Sequence, residues 1–323
     1  MNYHDRLPGN RPDGWEFLCN SQSLKDFSAI GVLPAGQIPV VATQIFNSWL
    51  EREFHAQMSY LCKNIDLRYN TAHPDIVPNA SAVVVAALPY GKGIETKGIW
   101  RYIARYARGR DYHRTMKRKL KLLVSSIQSQ FPKASCRVFV DSAPIMERSL
   151  ALMAGLGTIG KNGAIIVEGV GPSVILGEIV CTNVPVPSLI APNTVLDLCG
   201  DCTLCVDACP TQAIVDRATV DARRCLSYWS IETPKSPSGI ISSNFSQIFG
   251  CDICTSVCPH NQDVESSLEK ATSSIPLPLS LTELLRSDEQ MIQKALCGTA
   301  MHRTGAAKLK DNTIIVLKNK RSE

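Results

Sequence analysis

Cys199, Cys202, Cys205 and Cys209-Pro210 follow the spacing C-x2-C-x2-C-x3-C-P. Such a run wraps three thiolates around one [4Fe–4S] cubane and sends the fourth to a second cubane. A second, altered half follows as Cys251, Cys254 and Cys258-Pro259, one cysteine short of the standard run. Cys225, in DARRCLSY, can supply the missing thiolate. The spacing therefore assigns Cys199, Cys202, Cys205 and Cys258 to one cluster, and Cys209, Cys225, Cys251 and Cys254 to the other. A zinc ribbon of C-x2-C knuckles requires neither the third cysteine two residues on nor the paired Cys-Pro.

Eight of the 13 cysteines lie between Cys199 and Cys258. Such crowding argues against a disulfide framework, which spreads cysteines through a small secreted domain. Cys19, Cys62, Cys136, Cys181 and Cys297 fall outside the pattern and read as buried small hydrophobes. The N-terminus has no apolar signal-peptide core. Ser81 to Leu88, the most apolar run, is far below the ~20 residues a bilayer span needs. A cytoplasmic chain without a membrane segment is expected.

Ahead of the cysteines the pattern is mixed. Ile38 to Cys62 has apolar residues at helical spacing. Ser81 to Leu88 reads as a buried strand, Asp111 to Phe131 as a basic amphipathic helix, and Arg137 to Val140 as a short strand. Pro144 stands where the first turn of a helix would be, with Gly155 at its C-cap. Ala164 to Val167 and Val174 to Val180 read as a hairpin, and Thr282 to Leu296 as one helix closed by Gly298. This is an α+β pattern. Val184 to Asn193 and Ser266 to Pro278 read as Pro-rich connections. They divide the chain into residues 1–185, a two-cluster segment 186–265 and a helical tail 266–323.

Two clusters can form an electron wire, and the residues ahead of them must house its terminus. No G-x-G-x-x-G follows a strand. GLGTIG (Gly155 to Gly160) has only part of that form and follows a helix, so a nicotinamide or flavin Rossmann site is not indicated. Arg101 to Lys121 holds nine Lys or Arg and one acid, with Tyr102, Tyr106 and Tyr112 interleaved. Such a run reads either as a solvated helix face or as a surface for a phosphate backbone and splayed bases.

The strings RYARGRDYHRTMKRKL (Arg105 to Leu120), DSAPIMERSLALMAGLGTIGKN (Asp141 to Asn162), GPSVILGEIVCT (Gly171 to Thr182), DARRCLSYWSIE and FGCDICTSVCPHN occur in this order. Together they closely resemble the epoxyqueuosine reductases, cobalamin-dependent iron–sulfur enzymes of queuosine biosynthesis. The likeness runs from about Lys25 to about Lys318. It implies a nitroreductase-like α+β domain holding base-off cobalamin, followed by a two-cluster ferredoxin-like domain. It also implies reduction of the epoxide of epoxyqueuosine at the tRNA wobble position, with electrons from an external flavodoxin- or ferredoxin-type donor to a monomeric enzyme. Cluster potentials reach down to about −700 mV, low enough for so demanding an acceptor.

The resemblance assigns Asp141 as the proton donor. Read alone, an aspartate there also suits a helix start. The family's positions around the corrinoid carry over to Arg68, Tyr112, His113, Asp141, Thr158, Lys161, Asn162, Ile165, Leu176 and Ser227. Arg148 follows Glu147 as in the family's acid–Arg pair, which by itself also reads as a helix-surface ion pair. In this light the basic run becomes a tRNA footprint, and the lysine-rich end (Lys308, Lys310, Lys318, Lys320, Arg321) either adds to it or merely frays. The sequence departs from the family in lacking the C-terminal HEAT-like repeats of many members, in Thr158 where an aromatic is common, and in His260 where tryptophan is common. Two alternatives remain: a small-molecule corrinoid reductase of the reductive-dehalogenase kind, and a non-catalytic ferredoxin-type carrier.

Overall fold

Ala82–Pro89 is buried at every position, so apolar layers must cover both faces of the sheet that contains it. The computed structural model describes residues 9–19, 25–91, 97–186, 197–262, 266–268, 277–278 and 280–320. Its elements run β1 (Ala29–Pro34), α1 (Val40–Glu51), α2 (Ile65–Tyr69), β2 (Ala82–Pro89), α3 (Tyr112–Gln130), β3 (Ser135–Phe139), α4 (Glu147–Met153), β4 (Gly157–Ile159), β5 (Ile165–Val167) and β6 (Val174–Thr182). They continue as α5 (Leu204–Asp207), β7 (Ile214–Asp216), β8 (Thr219–Val220), α6 (Leu226–Ile231), α7 (Gly239–Ser243), α8 (Ile253–Ser256), α9 (Leu281–Arg286), α10 (Glu289–Leu296) and α11 (Gly305–Lys320).

The main sheet has the order β1-β2-β6-β3, and every pair is antiparallel. On one face α3 lays down Met116, Leu120, Leu123 and Ile127, beside Trp15 and Leu18. Their spacing is that of a single helix stripe. Gly177 lies under this stripe, where a Cβ would sit 2.7 Å from the Met116 methyl. On the opposite face Leu150, Ala151 and Ala154 of α4 and its cap pack with Val83, Val85 and Ala87. A third apolar cluster joins Ile99, Ile103 and Ala107 to Leu226, Phe245, Phe249 and the C-terminal helices.

The structure alters several local expectations. Ala164 to Val167 does not pair with Val174 to Val180. Ile165–Val167 pairs instead with Gly157–Ile159, while β6 lies between β2 and β3. The helix from Ile38 ends at Glu51, because Glu53 and Ala56 take left-handed backbone conformations, with φ of 55° and 51°. Val41 and Ile45 on it are 64% and 56% exposed, not core. Pro144 precedes its helix rather than opening it, since α4 begins at Glu147, but Gly155 does follow the cap with φ 73°. The helix from Thr282 to Leu296 is two helices. Ser287 is extended, and the Asp288 side chain accepts from the Gln290 and Met291 amides to start α10. Cys62 and Cys297 are exposed and Cys136 is half-buried; only Cys181 is a buried hydrophobe. Cys19's side chain, most of the two Pro-rich connections and Arg321 lie outside the described residues.

The cysteine-bearing segment docks on the β5–β6 connection. Gly171, with φ +90°, would place a Cβ 2.3 Å from the His260 carbonyl oxygen, so only glycine permits this approach. The Gln262 amide donates to the Val170 carbonyl at 3.1 Å. The Ser173 hydroxyl donates to Asn261 Oδ1 at 2.9 Å.

Candidate active site

Asp141 stands in the loop between β3 and α4 with φ 56°, a left-handed conformation that aspartate tolerates better than most residues. Its backbone N–H donates to Glu147 Oε1 at 2.6 Å. Both hydrogen bonds to its side chain fall on Oδ2, from the Tyr112 hydroxyl at 2.7 Å and from His113 Nε2 at 3.0 Å. His113 Nδ1 is 2.7 Å from Asp111 Oδ1. Asp111 in turn caps α3 by accepting from the His113 amide. The first turn of α3 therefore delivers both donors to Asp141.

The electrostatics follow from this chain. Burial pulls the His113 pKa down, but the hydrogen bonds to Asp111 and Asp141 outweigh it and hold the imidazole up at about 9. The His113 hydrogen bond holds the Asp141 carboxyl below its usual range, against burial. At neutral pH the proton of the pair thus sits on the imidazole. Burial first, then the Asp141 charge, pushes Glu147 up to about 7. Desolvation also lowers the Arg148 pKa, although the residue reaches solvent. Arg148 Nη1 donates to the Gly163 carbonyl at 2.6 Å. Glu147 and Arg148 are not bridged to each other: one holds the Asp141 loop and the other holds the β4–β5 turn. The surface ion-pair reading of this couple falls.

Asp141, Tyr112, His113 and Ser227 line one cleft with Tyr106, Glu232, Phe249 and Arg303. Tyr106 reads in the sequence only as part of the basic run, and Glu232 and Arg303 carry no sequence signal; the rim pair Arg303–Glu232 joins segments distant in the chain. Lys161 and Asn162 line a different cavity, with Cys199, Cys202, Cys205 and Cys258. Asn162 Nδ2 donates to the Cys254 carbonyl at 3.4 Å. Thr158 is buried in β4, and Ile165 and Leu176 are buried in the apolar layer against α4. Arg68 Nη2 donates to the Tyr60 carbonyl at 3.3 Å. Its Nε is buried with no hydrogen-bond partner among the described residues.

The structure brings these thiols together in two groups. Cys199, Cys202, Cys205 and Cys258 share one cavity. Cys225, Cys251 and Cys254 each feel the charge of Cys209. Burial pushes the Cys251 thiol up to about 12 and Cys254 upward as well. Metal coordination is what deprotonates thiols in such surroundings. The Ala213 amide donates to Cys209 Sγ at 3.2 Å, the kind of N–H···S contact that tunes a cluster. This donor set fits two cubanes.

Among the nine cations between Arg101 and Lys121, Arg105 pairs with Asp252, Arg108 with the Ile103 carbonyl and Lys119 with Asp26. Arg101, Arg110, Arg114, Lys117, Arg118 and Lys121 are exposed. The interleaved tyrosines do not decorate this surface. Tyr106 and Tyr112 pack edge to face at 5.6 Å inside the cleft.

An α+β domain with an acid-bearing cleft, joined to a two-cluster ferredoxin-like segment, defines a class of iron–sulfur oxidoreductases. Residues 198–261 match the 4Fe-4S double cluster binding domain, a span containing all eight assigned ligands. Residues 72–142 match the family model described as epoxyqueuosine reductase QueG. Epoxyqueuosine reductase of Xanthomonas campestris pv. campestris is 35% identical over 283 residues, covering 84% of this chain and 78% of that protein. The structure of epoxyqueuosine reductase from Streptococcus thermophilus superposes with a TM-score of 0.79 at 26% identity, over 94% of this chain and 80% of that one. An epoxyqueuosine reductase crystallised with an epoxyqueuosine-modified tRNA-Tyr stem loop gives 0.81 at 24% identity, over 94% and 80%. The chain belongs to the epoxyqueuosine reductase family.

Proposed function

We propose that this protein reduces epoxyqueuosine, in the wobble position of tRNA, to queuosine. The observation that carries the reading is Asp141, held at a cleft by Tyr112 and His113 and joined to two sets of cluster-spaced cysteines. The epoxide gains two electrons and two protons; its oxygen leaves as water and its two carbons become the alkene. No hydrogen bond among the described residues reaches Asp141 Oδ1, so this oxygen can face the epoxide. Asp141 is the terminal donor, and His113 stores the proton that passes to it across the 3.0 Å contact. A positioned acid of this kind contributes about 10²- to 10⁴-fold.

A cobalamin fits the cleft. Aromatic and apolar walls (Tyr106, Phe249, Ile231) face convergent polar groups, and Arg68 has an unused buried donor. Both His113 nitrogens are engaged by carboxylates, so base-off binding need not draw on this imidazole. We assign Tyr112, His113, Asp141 and Ser227 to its substrate-facing side. Arg68, Thr158, Lys161, Asn162, Ile165 and Leu176 belong to its surroundings. When bound, it supplies a strongly reducing cobalt centre that delivers electrons to the epoxide. The exposed cations of α3 and its approach suit the tRNA phosphates. We place the enzyme in the cytoplasm, as a monomer fed by a flavodoxin- or ferredoxin-type donor. In support, no helix among the described residues is long and apolar enough to cross a membrane.

The test is anaerobic reconstitution with iron, sulfide and cobalamin, followed by a strong reductant and epoxyqueuosine-containing tRNA. Queuosine in the digested tRNA, formed only with cobalamin, is expected. No conversion by protein holding both clusters and cobalt overturns the reading.

A further inference from the structure

We propose that the half-buried Glu147 and the fully buried Glu178 form a proton reserve that reloads Asp141 within each reduction. The inference rests on the reading of Asp141 as terminal donor. An epoxide oxygen that leaves as water takes two protons at one atom. A single donor reaching that atom must therefore be reprotonated before the second C–O bond breaks. His113 stores one proton. With tRNA and cofactor filling the cleft, bulk water is a poor source of the other.

Glu178 lies at the centre of β6 and is fully buried. Neither of its carboxyl oxygens has a hydrogen-bond partner among the described residues. A purely structural carboxyl would be tied to donors, and an unpaired buried carboxylate is too costly to persist as an anion. Glu178 therefore carries a proton. It pairs across the sheet with Phe139, the last residue of β3, so it sits at the strand end from which the Asp141 loop springs. Glu147 occupies the base of the same loop, its Oε1 accepting the Asp141 amide at 2.6 Å.

The charges agree with this arrangement. Burial first, then the charges of Glu147 of α4 and Asp141 of the loop, raises Glu178 well above its usual range. Glu147 faces Asp141, His113 of α3 and Arg148 of its own helix. The acid raises it, the two cations lower it, and burial dominates. A proton leaving Glu147 for Asp141 can be replaced from Glu178 and later from solvent.

The experiment pairs infrared spectroscopy with pH profiles of the full-length, reconstituted protein. Wild type is expected to show protonated-carboxyl C=O absorption at neutral pH that shifts in D2O and is lost in Glu178→Gln. This readout needs no substrate, so it stands even if tRNA reduction fails. Glu147→Gln is expected to lower queuosine formation tenfold or more, and to abolish a decline in rate as pH rises through about 7. Cluster content and tRNA binding should not change. If Glu178→Gln does not fold, the wild-type absorption and the Glu147→Gln profile decide. A Glu147→Gln rate and pH profile equal to wild type, or the absence of a protonated-carboxyl band, overturns the proposal.

Discussion

His113 bridges two carboxylates, with Nδ1 2.7 Å from Asp111 Oδ1 and Nε2 3.0 Å from Asp141 Oδ2. One imidazolium thereby holds the Asp141 carboxylate in place and, in the reaction proposed above, keeps it supplied with protons. Its raised pKa of about 9 means the proton is present below that pH and lost above it. Turnover should therefore fall as pH rises through about 9. In His113→Gln this decline should vanish and the rate should drop about 100-fold, with tRNA affinity unchanged. An unaltered profile would remove His113 from the proton path.

Asp141→Asn keeps the shape of the side chain and removes its acid. We expect normal iron, sulfide and cobalamin content and turnover reduced by about 10³-fold or more. Full activity in this variant would leave the epoxide oxygen without the donor assigned here.

In the proposed ligand set, Cys225 supplies the thiolate that the second cysteine run lacks. Cys225→Ala should lose one cluster and keep the other, halving the iron content and leaving a single [4Fe–4S] signal in the electron paramagnetic resonance spectrum. Retention of full iron would refute the ligand assignment.

Lys117 and Lys121 are exposed on α3. The double substitution Lys117→Glu/Lys121→Glu should weaken tRNA binding and lower the slope of log Kd against log salt by about 2. Reduction of the clusters by dithionite should not change. An unchanged slope would move the tRNA footprint elsewhere.

Glu178 also ties stability to pH. Its folded pKa is raised above the unfolded value. The stability it allows is therefore complete below the unfolded pKa and is lost as pH rises toward the folded one. The cost is about 1.4 kcal/mol per pH unit over that window. Glu178→Gln should flatten the dependence of the denaturation midpoint on pH above the unfolded carboxyl pKa. A slope as steep as wild type would mean that Glu178 is not the buried acid responsible.

Local chemistry made much of this molecule legible in its residues. The proposed cluster ligands follow from thiolate spacing, and α3 from its apolar stripe and the Asp111 cap. The stripe, the cap and each C-x2-C run are dictated by residues near each other in the chain. What could not be read depends on long-range pairing. Ala164 to Val167 and Val174 to Val180 look like hairpin partners, yet the second is drawn between β2 and β3. That same placement buries Glu178, so the acid beside Asp141 was invisible among strand residues. Tyr106 and Tyr112 read as surface aromatics because nothing in a basic run shows which side of it faces a cleft. Asp288 is a helix starter hidden inside an otherwise continuous helical pattern.

The place of β6 sets the order in which the protein can be made. It is the last strand of the sheet to leave the ribosome, and it sits between two strands synthesised before it. The Ser81 hydroxyl meets the Cys181 carbonyl across 100 positions of chain. Until β6 emerges, β2 and β3 lack a shared neighbour, and the apolar run Ala82–Pro89 stays exposed along one edge. Closure across so long a loop is slow and leaves the nascent chain open to aggregation. Recombinant yield should therefore depend on translation rate and temperature before iron supply becomes limiting, because the cysteines are translated only after the sheet that receives them can close.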